Sequence, residues 1–182
     1  WNDGEGWEPI GLSTSAAFST NFNGNGHRIS NLYVDRFGYS GLFGHIVGTS
    51  KQLVEISRVA ITGPMTSITG SYNVGILAGE VTYAEIDSVY VSGVVNGGRT
   101  GGGLAGSTND STVSNVFSSA DILEGGQQGG ILGGAYRSYL SKSLSTGFVK
   151  SDEGLLGDNG FTSNNECLYW ATDASSQTTS EG

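Results

Sequence analysis

The feature that most constrains how this chain can fold is a four-residue motif that occurs five times. Each copy reads glycine, two apolar residues and a small residue, and the first glycines lie 34, 28, 27 and 24 positions apart. A motif that keeps nearly one period across most of a chain indicates a repeat architecture. The copies are Gly41-Leu42-Phe43-Gly44, Gly75-Ile76-Leu77-Ala78, Gly103-Leu104-Ala105-Gly106, Gly130-Ile131-Leu132-Gly133 and Gly154-Leu155-Leu156-Gly157.

A second series of segments repeats out of phase with this motif, with starts 27, 30, 27 and 27 residues apart. In its first three members, large aliphatic residues stand at the first, fourth and sixth positions. The fourth and sixth positions alternate as in a strand with one buried face, so the first position must lie beyond a bend. One further step leads to Cys167. The segments are 29–34, 56–61, 86–91, 113–118 and 140–145.

The two interleaved series predict an all-β fold, a parallel β-solenoid. Each period of about 27 residues holds three short β-segments separated by Gly, Ser, Asn or Asp turns. A unit of this length cannot bury its own apolar face, whereas stacked units bury a common core. We expect five to six coils, spaced by roughly 4.8 Å. The expected hand is right, as for other parallel β connections.

The motif glycines are interpreted as structural corners of the coil. A residue without Cβ permits positive φ and close approach of two backbones, and the apolar pair beside it fills the interior. A phosphate-binding loop is disfavoured, because no Lys-Ser/Thr pair and no helical pattern follows any copy. The corner glycines are Gly41, Gly44, Gly75, Gly103, Gly106, Gly130, Gly133, Gly154 and Gly157.

The period predicts one solenoid domain over 1–171, followed by a polar tail or linker over 172–182. Within the domain, 1–28 form a first partial coil, 29–165 the regular coils and 166–171 a C-terminal cap. The only cysteine, Cys167, is expected to be a buried thiol of that cap. Inward positions become serine towards this end, which predicts weaker packing there. These serines are Ser118, Ser143 and Ser145.

The charge balance argues against several classes of partner. With 17 acidic and 8 basic residues the formal net charge is −9, and no Lys/Arg cluster is present to bind phosphates. Nucleic acid and an anionic membrane surface are therefore unexpected partners. No apolar run approaches the roughly 20 residues that span a bilayer, so no membrane insertion is predicted. Scarce cysteine and lysine with an acidic balance favour an extracellular protein.

The sequence offers little that indicates chemistry, and we expect no catalytic residue, metal or cofactor. The two histidines, His27 and His45, stand 18 residues apart, and His27 is assigned a turn role. Three carboxylate pairs could serve acid–base chemistry but do not recur at one coil position, so they are interpreted as surface charge. Calcium at acidic turns stays open. The pairs are Glu85/Asp87, Asp121/Glu124 and Asp152/Glu153.

The fifth position of the second series is expected to point outward and to form a column of aromatic residues. Its candidate members are Tyr33, Tyr90 and Phe117. Exposed aromatic rings suit stacking on a sugar ring or contact with a protein. The alternative is that the rings stack on each other from coil to coil, or that a neighbouring loop covers them.

Four segments in order resemble the GLUG-motif repeats of bacterial surface proteins, and the resemblance covers nearly the whole chain. The second copy departs from the pattern, with Ala78 where the family has glycine, and 167–173 look like the closing aromatic segment of that family. The resemblance implies a β-solenoid block of large secreted or surface-attached proteins, including adhesins and immunoglobulin-cleaving peptidases, with no catalytic residue to transfer. The segments are Trp7-Glu8-Pro9-Ile10-Gly11, Phe22-Asn23-Gly24-Asn25-Gly26-His27, Ile29-Ser30-Asn31-Leu32 and Gly41-Leu42-Phe43-Gly44.

Three functional hypotheses follow. The leading one is a non-enzymatic extracellular structural or adhesive segment of a bacterial surface protein, with a glycan or protein ligand. The second is a repeat module beside a secreted peptidase or glycan-active enzyme. The third is a self-associating fibre subunit, because solenoid ends expose unpaired strands. In the resembled family another strand commonly precedes a stretch like 1–4, so a neighbouring molecule could complete the first coil.

Overall fold

A computed structural model describes residues 2–151, 154–160 and 166–170. Two short 3₁₀ helices, Asn2–Gly4 and Thr14–Ala16, precede or interrupt the first strands. The strands in chain order are β1 Phe22–Asn23, β2 Arg28–Ser30, β3 Tyr33–Asp35, β4 Phe43–Val47, β5 Val54–Thr62, β6 Ser67–Gly70, β7 Asn73–Gly75, β8 Ala78–Thr82, β9 Ala84–Gly97, β10 Thr100–Gly102, β11 Ala105–Asn109, β12 Thr112–Ile122, β13 Gln127–Gly129, β14 Leu132–Tyr136, β15 Tyr139–Ser145, β16 Asn159–Gly160 and β17 Glu166–Trp170.

Within the described ranges, all strands pair in parallel and form three sheets. The first sheet runs β1-β5-β9-β12-β15-β17, with β2, β3 and β6 beside that path. The second runs β4-β8-β11-β14-β16 and the third β7-β10-β13. This arrangement confirms the predicted β-solenoid, with about four turns of about 27 residues. The longest sheet has six strands along its main path, whereas the other two sheets have five and three. The coils at the two ends therefore lack a strand in at least one sheet, and the number of complete turns is smaller than the expected five to six.

The predicted bend after the first position is a single residue with left-handed backbone. In the third coil Ser88 has φ 57°, and this reversal lets Ile86 and Val89 both face the interior, at 1% and 2% exposure. Left-handed backbone is unusual outside glycine and occurs at sharp turns. The same conformation recurs in the neighbouring coils, at Arg58, Asn115 and Lys142.

The predicted register of the first coil is wrong. Ile29 was aligned with Ile56, but the strand partner of Ile56 is Phe22, and Ile29 pairs with Ile61. Ile29 stands seven positions after Phe22, whereas Ile61 stands five positions after Ile56. The extra length forms the Asn-Gly-Asn-Gly turn before His27, where Asn25 has φ 51°. The first coil therefore begins its pairing with the second coil at Phe22, before residue 29.

The prediction that Cys167 is a buried thiol is wrong. β17 is the last rung of the first sheet, with Leu168 opposite Ser143 and Trp170 opposite Ser145. This register places Cys167 at the bend, with φ 56°, and the thiol is exposed instead of buried. Leu168 and Trp170 pack against the core. The predicted tail, 172–182, lies outside the described residues.

The core is a continuous aliphatic column inside the coil, as the sequence predicts. The inward serines are buried too, at 0% exposure for Ser118, 2% for Ser143 and 3% for Ser145. Ser143 Oγ donates to Ser141 O at 2.7 Å and accepts from Val116 N at 3.2 Å. The hydroxyl of Ser145 has no hydrogen-bond partner among the described residues. An unsatisfied buried hydroxyl costs stability, and this cost is not confined to β15, because the hydroxyls of Ser40 and Thr66 also lack a partner among the described residues.

Candidate binding surfaces on the outer faces of the coil

The predicted aromatic column exists, but with two rings. Tyr90 and Phe117 lie opposite each other on β9 and β12, with ring centroids 5.0 Å apart and planes inclined by 7°. Tyr90 is 37% exposed, and its hydroxyl lies 3.2 Å from Ser119 Oγ. Ala60 continues the column on one side and Leu144 on the other. This surface is shallow, and its rings stack on each other.

Tyr33 lies outside that column, because the first coil is shifted in register. It pairs with Ser67, not with Ala60, and is 43% exposed near the N-terminal end of the stack. There it lines an apolar groove of about 460 Å³ together with Trp7, Ile29 and Leu32. The three predicted aromatic residues therefore belong to two separate surfaces.

The corner motif is built as predicted, but for only one of the two proposed reasons. Within the described residues, none of the motif glycines has positive φ. Close backbone approach is what requires them: a Cβ on Gly133 would lie 2.7 Å from Gly101 N and 2.7 Å from Gly106 O. A separation under about 3 Å forces the backbone to shift.

Strand register also corrects the second copy of the motif. Ala78 pairs with Ala105, and Phe43 pairs with Ala78, so Gly79 is the residue that corresponds to Gly106 and Gly44. The small fourth position is thus glycine in every copy. The resulting column is Gly44, Gly79, Gly106, Gly133 and Gly157.

This glycine column lies at the corner where the third sheet meets the second, beside a re-entrant groove that side chains of both sheets line. Strands of the third sheet lead into the corner and strands of the second sheet leave it. A Cβ on Gly79 would meet Asn73 O at 2.8 Å and the Cβ of Tyr39 at 2.9 Å, so the outer faces of the two sheets converge here. The groove measures about 550 Å³. Without the glycines, side chains would fill this angle.

Three tyrosines form the aromatic part of the groove. Tyr39 and Tyr72 stack with centroids 5.7 Å apart and planes inclined by 19°, and Phe37 meets Tyr72 edge-on at 5.8 Å. Tyr136 lines the groove from the second sheet. Tyr72 is 47% exposed, so a ligand has access to its ring.

Polar side chains form two facing ladders along the groove. On the third sheet Asn73, Thr100 and Gln127 are in register, one in each coil. On the second sheet Glu80 and Ser107 occupy equivalent positions, with Asn109 two residues further along. Thr100 Oγ1 donates to Asn73 Oδ1 at 2.8 Å, and Asn109 Nδ2 to Glu80 Oε1 at 3.3 Å. The third-sheet ladder has a polar residue in each of three coils, whereas the second-sheet ladder stops at Ser107, whose partner in the next coil is Gly134.

Two tyrosines of the groove have raised pKa values. Burial, and then the Glu80 carboxylate, raise the pKa of Tyr39 above its ordinary value. Burial and Asp158, whose carboxylate accepts from Tyr136 Oη at 3.2 Å and from Gln127 Nε2 at 2.9 Å, raise the pKa of Tyr136. Both phenols are therefore held in the protonated form, as hydrogen-bond donors.

His45 lies beneath this groove and supports it. The residue is 3% exposed, its ring is inclined by 42° to that of Tyr39 with centroids 4.2 Å apart, and its Nδ1 lies 3.4 Å from Glu80 Oε2. That contact lacks hydrogen-bond geometry. His27 instead follows the Asn-Gly turn, with its amide donating to Gly24 O. Among the described residues, no three His, Cys, Asp or Glu side chains are grouped so as to hold a metal ion.

Two of the predicted carboxylate pairs, Glu85/Asp87 and Asp121/Glu124, lie on the surface. Asp87 accepts hydrogen bonds from Ser88, Asn115 and Ser114, which lower the pKa of its carboxyl. Asp121 accepts from Phe148 N at 2.9 Å. Asp152 and Glu153 lie outside the described residues. An anchored carboxylate with a lowered pKa is poorly suited to act as a general acid near neutral pH.

Sequence reasoning missed the groove, although its tyrosines flank the corner motif. Tyr39 stands two residues before Gly41, Tyr72 three before Gly75, and Tyr136 three after Gly133. These positions signal a common surface only when the corner is known to be concave. The motif was assigned a packing role, and the groove that it creates was therefore not predicted.

Comparisons with known proteins give two partial relatives. The chain is 43% identical over 103 residues to halomucin of Haloquadratum walsbyi, covering 57% of this chain and 1% of that protein. It is 36% identical over 91 residues to a protein of Evansella cellulosilytica named as a Gly-rich membrane protein, covering 48% of this chain and 10% of the relative. The chain thus corresponds to a small part of each. No family model and no solved structure matches it.

Neither relative establishes a family for this chain, and the resemblance to GLUG repeats stays a prediction. In the part of the chain that the structure describes, we find no helix with the length and apolar character needed to cross a membrane.

Proposed function

We propose that this chain is a non-enzymatic, structural and adhesive β-solenoid segment of an extracellular surface protein. The observation that carries the proposal is the uninterrupted parallel stack, in which each coil contacts only its neighbours. Such a body gains length coil by coil without needing a new core, and it presents long outer faces. These are properties of a rigid, ligand-presenting spacer.

The names of the two relatives support a place at the cell surface. One is named a halomucin and the other a membrane protein, and this chain spans 1% and 10% of their lengths. A repeat segment within a much longer surface protein fits both proportions. We assign the adhesive contact to the re-entrant groove and not to the Tyr90–Phe117 column, because concave sites enclose more of a ligand.

Antibodies against the purified segment, applied to unpermeabilised cells of the source organism, test the location. We expect labelling of intact cells that is abolished by brief protease treatment of the cell surface. Labelling that requires permeabilisation would contradict the proposal. A measured turnover abolished by a single carboxylate substitution, such as Glu80→Gln, would overturn the non-enzymatic assignment.

A second candidate, self-association into a fibre, is favoured by the apolar groove at the N-terminal end. This groove of about 460 Å³ runs beside β2, with Trp7, Ile29 and Leu32 in its walls. An apolar groove next to a strand edge suits an added strand. Light scattering at increasing protein concentration should then show growing particles, and a constant monomer mass would count against this candidate.

A further inference from the structure

We propose that the re-entrant groove binds a neutral oligosaccharide that lies along the solenoid axis. The inference rests on the adhesive role proposed above and names its ligand class. Four observations carry it: the size of the groove, its aromatic surface, the chemistry of its polar groups and their repetition from coil to coil.

The groove has the size and shape of a site for a small chain molecule. Its volume of about 550 Å³ falls within the usual range of ligand sites, and two sheets enclose it from different sides. The depression at Tyr90 and Phe117 has a similar volume, about 480 Å³, but it is more open to solvent. A ligand in the groove therefore contacts the protein on more than one side.

Its polar groups suit hydroxyls better than ions. A hydroxyl both donates and accepts, so it can pair with an amide, a carboxylate and a phenol alike. Glu80 and Asp158 would repel a phosphate or carboxylate ligand, while Arg99 in the same groove opposes a cation. Mixed signs at close range favour a neutral ligand rich in hydroxyls.

The tyrosines supply the apolar part of the recognition. Tyr72 exposes 47% of its surface and is held by Tyr39 on one side and Phe37 on another. A fixed aromatic ring offers a flat apolar surface at little entropic cost. The apolar C–H face of a sugar ring is flat and can stack there while its hydroxyls reach the ladders.

Repetition indicates a chain of sugars and not a single one. Asn73, Thr100 and Gln127 are in register in three successive coils, spaced by roughly 4.8 Å, and all three line the groove. Thr100 is 6% exposed and its hydroxyl donates to Asn73, so an extended ligand would meet the side chains of Asn73 and Gln127, two coils apart. Affinity should therefore rise by about tenfold from one sugar unit to three, since a longer ligand adds hydrogen bonds.

The test is a panel of soluble neutral oligosaccharides of one to six units, with polyuronates and sulfated glycans as charged probes, titrated calorimetrically into the purified protein. We expect a neutral oligosaccharide to bind best. Tyr72→Ala should weaken its Kd about tenfold, and Gln127→Ala by roughly three- to tenfold. Tyr169→Ala, an exposed tyrosine on the first sheet, is the matched control and should leave Kd unchanged.

Several results would overturn the inference: no neutral probe binding, a charged probe binding best, or Tyr90→Ala removing binding while Tyr72→Ala and Gln127→Ala do not. Thermal melting of each variant separates lost binding from lost fold. These titrations use purified protein, so a negative result would not bear on the cell-surface location, which the antibody labelling tests separately.

Discussion

The Tyr90–Phe117 column and the re-entrant groove are both rows of outward side chains, yet they differ in what the backbone does beneath them. The column lies on two adjacent parallel strands, and its two rings stack directly on each other, 5.0 Å apart. The groove lies where two sheets meet at a corner without side chains. Its residues consequently face one another across a space.

This difference shows that exposure and concavity have separate causes in a solenoid. Exposure follows from the alternation of a strand, which is local. Concavity arises at the corner, where Gly79, Gly106 and Gly133 let two sheets approach closely. The corner glycines are structural, and through the groove they also determine where a ligand fits.

The largest expected loss of stability comes from adding a side chain to the glycine column beside the groove. Gly133→Ala would put a Cβ 2.7 Å from Gly101 N, and we expect the free energy of unfolding to fall by about 3 kcal/mol. The neighbouring Gly134→Ala is the matched control, because its Cβ would meet only the Tyr136 ring, at 3.3 Å. Urea denaturation measures both; equal losses would contradict the close-approach account.

Removing either ring of the Tyr90–Phe117 column should destabilise the protein less than Gly133→Ala does. We expect Tyr90→Ala and Phe117→Ala each to lower the free energy of unfolding by about 1 kcal/mol, with a coupling of about 0.5–1.5 kcal/mol between the two rings. A double-mutant cycle from urea titrations gives this coupling. Additive effects would mean that the stacked geometry contributes nothing beyond separate burial.

The groove should be sensitive to alkali. The pKa values of Tyr39 and Tyr136 are raised in the folded protein, so their stabilising contribution is full below the unfolded value of about 10. It is lost as pH rises through the folded pKa values. Melting temperatures measured across this window should fall less steeply for Tyr136→Phe, while the exposed Tyr169→Phe serves as control. An unchanged slope would contradict the account.

The bend beside the column should be sensitive to acid, by a smaller amount. The folded pKa of Asp87 is lowered by hydrogen bonds from Ser88, Asn115 and Ser114, so its contribution is present above the unfolded value of about 3.9 and is lost as pH falls through the folded value. Asp87→Asn should flatten this acid dependence in thermal melts. Glu85→Gln, on the same strand, is the control, and an equal effect of both would refute the assignment.

Much of the fold could be predicted because the core of a solenoid repeats residue by residue. The inward triplet Ile86, Val89 and Val91 recurs with one spacing, and the bend between the first two follows from broken alternation. The first coil could not be aligned in this way, because its Asn-Gly-Asn-Gly turn adds two residues without interrupting the apolar pattern.

The candidate site could be predicted only in part, since it depends on contacts between sheets. Tyr90 and Phe117 follow from one strand and its neighbour in the next coil. Tyr39, Tyr72 and Tyr136 lie in one groove because the second and third sheets meet at a concave angle. Neither the spacing of the motifs nor the composition predicts that this angle is concave. The same limit applies to Cys167, whose position depends on a register that the last coil shifts by two residues.

The most direct test of the central claim is a chemical-shift map of the ¹⁵N-labelled protein titrated with maltotriose and cellotriose as neutral probes. If the groove is the binding surface, the amide signals of Tyr72, Arg99 and Gln127 should shift together and saturate at one Kd, while those of Tyr90 and Phe117 stay in place. Shifts confined to Tyr90 and Phe117, or spread evenly over the coil, would contradict this account.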